Sequence, residues 1–230
     1  MEKLKSNIPT QSKLLIIILS SANNHERRDA QLKTWIKDLK NIPYYFLIGN
    51  SSDTQIKSNF IFVNVKDNDL PNKLYEAYKF CLKNIDFDYI FTCDDDTYVV
   101  VDRLLTSGYE NHDFMGTLYR YEEGDRKGLT HAEGGAGFFI GRSALQKMFS
   151  INASDLLKTS FASDTFISDL ATESGISLTH HNDFNQGWSM EKRPGEIPRP
   201  NNSAITSHYM NRKQFFETYK SFHPANIFLI

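Results

Sequence analysis

Three carboxylates in a row, Asp94, Asp95 and Asp96, follow directly on the apolar stretch Tyr89-Ile90-Phe91-Thr92-Cys93. Adjacent carboxylates repel one another. A hard divalent cation such as Mn²⁺ or Mg²⁺, which prefers oxygen ligands, relieves that repulsion. In extended backbone successive side chains alternate, so Asp94 and Asp96 face one way and Asp95 the other. One side can then hold a metal while the other holds a ribose hydroxyl or fixes the loop. The plain alternative is a solvated acidic turn. The apolar strand in front of the triplet argues against it, because a buried strand pins the carboxylates at the edge of a sheet.

Other residues carry chemistry of their own. Gly134, Gly135 and Gly137, in Glu133-Gly134-Gly135-Ala136-Gly137-Phe138, permit a tight turn and close backbone approach to a ligand. Arg27 and Arg28 offer guanidinium groups suited to phosphate or a base edge, and Lys73 is a weaker candidate for the same work. Asp164 stands where a helix begins, so its plain reading is an N-cap. Trp35 has helical spacing from Leu32 and Leu39 and reads as core. Trp188, in a Gly/Pro-rich stretch, is either a stacking platform for a sugar or ordinary packing.

These groups must be positioned by a frame. Leu14–Ser20 reads as a fully buried strand, followed by a helix capped at Asn23-Asn24 and running to about Lys40. Tyr44–Ile48 and Phe60–Val65 read as strands, Leu70–Lys83 as an amphipathic helix, and Asp88–Cys93 as a fourth strand. Val100–Leu105 starts another helix. Strands alternating with helices indicate βαβ units and a parallel sheet covered on both faces. Ligands of such sheets sit at the carboxyl ends of the strands, where the triplet stands. In the second half, Phe114–Leu118 and Phe138–Gly141 read as strands, Ser143–Phe149 and Asp164–Thr172 as helices, and Asp183–Ser203 as a long loop. The expectation is a loose tail over residues 1–13 and one domain over 14–230, with a nucleotide-binding half (14–110) and an acceptor and catalytic half (111–230).

Composition excludes several function classes. A net charge of −2 gives no broad basic surface for nucleic acid or anionic lipid. The longest apolar run, Leu14–Leu19, is far short of the roughly 20 residues a membrane span needs. Met1–Lys13 is too polar for a signal peptide, so a cytoplasmic location is expected. Two cysteines, Cys81 and Cys93, read as buried free thiols rather than a disulfide framework.

Taken in order, four blocks resemble the fringe-like β1,3-glycosyltransferases. They are Arg27-Arg28-Asp29-Ala30 ending in Thr34-Trp35; Asp94-Asp95-Asp96-Thr97-Tyr98-Val99; the glycine block through Phe138; and Ser163-Asp164-Thr165-Phe166-Ile167-Ser168, with the late His208 after them. The resemblance covers roughly residues 14 to 212. It implies a GT-A-type, Rossmann-like α/β fold with a mainly parallel central sheet flanked by helices. It implies inverting transfer of a hexose or N-acetylhexosamine from a UDP-sugar donor to a glycan or a glycosylated protein or lipid. In that pattern Asp96 and His208 are the metal ligands, Asp95 contacts the donor ribose or the metal shell, and Asp94, Gly134 and Gly135 lie against the donor. Asp164 is the catalytic base. His180, His181 and His223 fit the place of His208 less well. Ser163 and Ser168 depart from the pattern, which has an acidic residue and often a glycine there, and the cysteine pairs and membrane anchor of Golgi members are missing.

Two other readings compete. Haloacid-dehalogenase-type phosphatases place two aspartates after an apolar strand, as Asp94 and Asp96 stand, but need Thr or Val where this chain has Tyr98. A non-catalytic sugar-nucleotide or glycan-binding module would keep the fold and lose turnover.

Overall fold

The computed structural model describes residues 13–187 and 202–224. Most of the expected tail and Trp188 lie outside the described residues. Thirteen strands alternate with seven helices. The strands are β1 (Leu14–Leu19), β2 (Tyr44–Ile48), β3 (Gln55–Lys57), β4 (Phe60–Phe62), β5 (Tyr89–Asp94), β6 (Tyr98–Val99), β7 (Phe114–Gly116), β8 (Leu118–Arg120), β9 (Thr130–Ala132), β10 (Phe138–Gly141), β11 (Leu178–His180), β12 (Phe184–Asn185) and β13 (Thr206–Ser207). The helices are α1 (His25–Lys33), α2 (Leu70–Asn84), α3 (Val101–Leu105), α4 (Arg142–Met148), α5 (Ser154–Thr159), α6 (Ser163–Glu173) and α7 (Arg212–Phe222).

Eight strands form one sheet in the order β11-β7-β10-β5-β1-β2-β4-β3. Its centre is parallel, with β1 between β2 and β5, as the alternation of strands and helices requires. Only β10 and the edge strand β3 run against the rest. All six residues of β1 are buried, and they divide strictly by parity. Leu15, Ile17 and Leu19 join the core beneath α2, α4 and α6. Leu14, Ile16 and Ile18 join the core beneath α1 and α7. A strand buried on both faces gains from every side chain, which is why this stretch is continuously apolar instead of alternating. Among the described residues, no helix is long and apolar enough to cross a membrane. Cys81 and Cys93 are buried and free.

The structure corrects the expected elements in several places. The first helix stops at Lys33, and residues Trp35–Leu39 continue as a 3₁₀ segment. The hydroxyl of Thr34 donates to Ala30 O at 2.6 Å, and its backbone leaves helical geometry, which turns Trp35 fully into the core. The stretch taken as one long loop from Asp183 contains β12; its residues 188–201 lie outside the described residues. Asn24 holds the N-cap position of α1 but makes no side-chain cap bond; its amide nitrogen donates to Asp95. Asp164 is not an N-cap either: Ala162 takes that position of α6.

A two-strand pairing sets the geometry of the site. β13 pairs antiparallel with β6, Ser207 opposite Tyr98, and in parallel with β12. His208 follows β13 immediately, and the backbone N–H of Met210 donates to Asp96 O at 2.9 Å. A segment near the end of the described chain is thereby laid against the turn that holds the three aspartates.

Candidate active site

The triplet sits where β5 ends. Thr97 N donates to Asp94 O, closing a tight turn. Gln31, fully buried on α1, donates to the carbonyls of Asp94 and Thr97 and so props the turn from below. Asp95 points to one side. It accepts from Ser20 Oγ at 2.6 Å, Asn24 Nδ2 at 2.8 Å and Arg27 Nη1 at 3.0 Å. Asp94 and Asp96 point to the other, toward His208. The imidazole Nε2 lies 3.0 Å from Asp96 Oδ1 and 3.6 Å from Asp94 Oδ2.

The donor set suits a divalent cation. One ligand atom from each of Asp94, Asp96 and His208 falls within 4.8 Å of the others. Asp96 Oδ1 is buried and has no hydrogen-bond partner, although it lies beside the imidazole. A buried oxygen left without a donor is costly unless a cation meets it. The two outer carboxylates differ electrostatically. Asp94 lies deep in the molecule on the floor of an open cavity, and burial pushes its carboxyl up to about 7, against the pull of His208. Burial also acts to raise Asp96, but contact with His208 and the charge of Arg27 outweigh it and hold Asp96 below the ordinary carboxylate range.

The glycine block closes over this cluster. Thr97 Oγ1 donates to Gly135 O, and Thr206 Oγ1 to Ala136 O, each at 2.6 Å. These hydroxyls staple the block to the aspartate turn on one side and to β13 on the other. Gly137 has φ +89°, and a Cβ there would meet Phe91 Cζ at 2.5 Å, so the turn needs glycine twice over. Gly134 N donates to Asp164 Oδ2 at 3.1 Å, and Thr165 N donates to Asp164 Oδ1 at 2.7 Å. Asp164 is thus held by backbone donors at the start of α6, half-buried and facing the same cavity of about 350 Å³ as Asp94, Asp96, Arg27, Lys73 and His208.

The other expected residues separate into two kinds. Arg27 is half-exposed at the mouth and bridges Asp95 and Asp96, with 3.1 Å to Asp96 Oδ2. Arg28 is buried and turned away from the cavity. It donates to Ser20 Oγ, Ser21 O and Ala22 O and contacts His25, so it clamps the β1–α1 loop. Lys73 is 1% exposed and is consumed by Ser20 O and by Asp67, 2.6 Å away. His180 Nδ1 accepts from Leu118 N, and His223 pairs with Asp38; neither meets the triplet. Ser168 is fully buried, and its hydroxyl accepts from Ala132 N at 3.0 Å, fastening α6 to β9.

Sequence reasoning missed Ser20, Gln31, Thr97 and Asp67. Asp67 accepts from Gly49 N and Ala22 N as well as from Lys73, and it lines the cavity. Burial alone would raise its carboxyl, but Lys73 and these donors lower it. No local pattern marks such residues, since their partners lie far off in the chain. Asn24 did carry a signal, but a helix cap explained it equally well.

An open, mainly parallel sheet with a carboxylate cluster at the carboxyl end of a central strand, faced by a glycine turn and a further aspartate, is an architecture of the GT-A type. The chain belongs to the Fringe-like family, whose model matches residues 10–185. His208 lies beyond the matched segment. In fold the chain is similar to the galactosyltransferase LgtC, solved with donor and acceptor sugar analogues, at a TM-score of 0.51 and 12% identity, over 90% of this chain and 95% of that one. It is also similar to the inositol-1-phosphate CTP transferase of T. maritima, at a TM-score of 0.52 and 9% identity, over 96% and 99% of the two chains. The glycosyltransferase GlyE of Streptococcus pneumoniae aligns with 91% of this chain at a TM-score of 0.49 and 10% identity, and the aligned part spans 60% of GlyE. Membership of the Fringe-like family replaces the phosphatase reading of Asp94 and Asp96.

Proposed function

We propose that this chain is an inverting, metal-dependent glycosyltransferase. It moves a hexose or N-acetylhexosamine from a UDP-sugar to a glycan or a glycosylated protein or lipid, forming a β1,3 linkage. The observation that carries the reading is that Asp164 faces the same cavity as Asp94, Asp96 and His208. A base and a cation site then share one cavity.

Asp96 and His208, with Asp94 beside them, would hold Mn²⁺ or Mg²⁺. When bound, the cation neutralises charge on the departing diphosphate, a Lewis-acid role. Asp95, fixed by Ser20, Asn24 and Arg27, presents the other face of the turn to the donor. Arg27 stands at the mouth, where an always-charged guanidinium meets phosphate. Gly134 and Gly135 allow the donor sugar to approach the backbone. Asp164 takes the proton from the acceptor hydroxyl as that oxygen attacks the anomeric carbon. The bond from that carbon to the diphosphate breaks on the opposite face, and UDP leaves. The two backbone donors on Asp164 keep its carboxylate in one orientation while it accepts the proton.

The test is UDP release from a panel of UDP-sugars, with and without Mn²⁺, in wild type and in Asp164→Ala. Turnover should require the metal and fall by a factor of roughly 10² to 10⁴ in the variant, the usual size of a general-base contribution. UDP affinity should stay unchanged. Full activity of Asp164→Ala would remove the base, and UDP binding without transfer to any acceptor would favour the non-catalytic module.

A further inference from the structure

A second cluster lies behind the base. His131, in the middle of β9, and Glu133, just past its end, bring ligand atoms within 4.8 Å of each other and of Asp164. Both are deeply buried, at 6% and 5% exposure. Yet no hydrogen bond joins any two of the three side chains: Asp164 is engaged only by backbone N–H groups. His131 Nδ1 is buried with no partner at all. Among the described residues no Lys or Arg forms an ion pair with Glu133 or Asp164. The nearby guanidinium of Arg126 is spent on Asp169 in a two-pronged pair at 2.9 and 2.7 Å. Two carboxyl groups and an imidazole thus converge without touching, and without the positive charge that a buried acidic pair requires.

We propose that His131, Glu133 and Asp164 form a second divalent-cation site, distinct from the one at Asp94, Asp96 and His208, that takes a borderline ion such as Zn²⁺. One imidazole and two carboxylates, with a water to complete the shell, are a donor set that zinc accepts, and the cluster at Asp94, Asp96 and His208 offers the same mix. An ion there engages the carboxylate of Asp164, which can no longer accept the acceptor's proton. The site is therefore inhibitory. That consequence rests on the reading of Asp164 as base; the existence of the site does not.

Equilibrium dialysis of the full chain against Zn²⁺ separates the two. In an Asp96→Asn/His208→Gln background, which disables the triplet site, one zinc per chain should remain bound. Adding His131→Gln, or separately Glu133→Gln, should abolish that binding, with the fold of each checked by circular dichroism. No zinc retained in the background, or equal zinc with and without these changes, overturns the proposal. With native residues at the triplet and saturating Mn²⁺, Zn²⁺ should suppress UDP release at least tenfold. Zinc bound as described but without inhibition would count against Asp164 as the base and leave the site standing.

Discussion

Gly135 lies directly beneath the imidazole of His208: a Cβ at position 135 would sit 2.0 Å from His208 Cε1 and 2.2 Å from its Nδ1. A methyl group and the ring cannot share that space, so the imidazole or the glycine backbone must shift. Gly135→Ala should therefore move His208 off the cation site without unfolding the chain. Displacing a group that orients metal ligands typically costs 10- to 100-fold in metal affinity. Calorimetric titration with Mn²⁺ checks this, and affinity equal to wild type would show that the imidazole is not a ligand.

The hydroxyl of Thr97 is the link between the aspartate turn and the glycine block. Thr97→Val keeps the shape and leaves Gly135 O without its donor. Leaving one buried acceptor unsatisfied costs about 1–3 kcal/mol. Urea unfolding should show that loss, and turnover should fall more than donor affinity because the two sides of the reaction centre are no longer in register.

Arg27 and Arg28 are adjacent in sequence and should behave oppositely. Arg27→Ala removes a half-exposed cation at the mouth and should raise the KM for the donor about tenfold with little change in melting temperature. Arg28→Ala removes a buried clamp on Ser20, Ser21 and Ala22 and should lower stability by roughly 2–4 kcal/mol, in the range for breaking a buried network. Melting curves and donor kinetics on the pair test the assignment; a reversed pattern would refute it.

Glu133 provides a pH signature. Its carboxyl is raised to about 7 in the folded chain, by burial first and by Asp164 next, against about 4.5 when unfolded. The folded state therefore binds more protons than the unfolded state between those values. The contribution of Glu133 to stability is fully present below about pH 4.5 and is lost as pH rises through 7. Metal-free Glu133→Gln should lose this part of the pH dependence and be more stable than wild type at pH 8, by an amount of order 1 kcal/mol or more. Denaturant midpoints from pH 5 to 8 in chelator measure it.

The parallel centre of the sheet was legible because β1, β2 and β5 are buried on both faces and read as unbroken apolar runs. The triplet was legible because a strand end and three like charges are adjacent in the chain. The three-residue strands β3, β8, β9 and β11 escaped because three residues hold no period. Helix α7 does carry a local signal, the capping box of Asn211 and Gln214. Thr34 shows a subtler loss: nothing in the helical pattern says that one hydroxyl will turn back on Ala30 and end the helix. The bonds that hold Arg28 and Lys73 run to Ser20 and Asp67, and Lys73 meets both only in the folded chain.

The pairing of β13 with β6 makes the cluster of Asp94, Asp96 and His208 depend on two distant stretches of the chain. The carboxylates are in place once β5 has docked on β1, but the imidazole arrives only when residues 206–208 have threaded back beside them. A polypeptide cut short before Thr206 would keep most of its central sheet and hold the cluster without its imidazole.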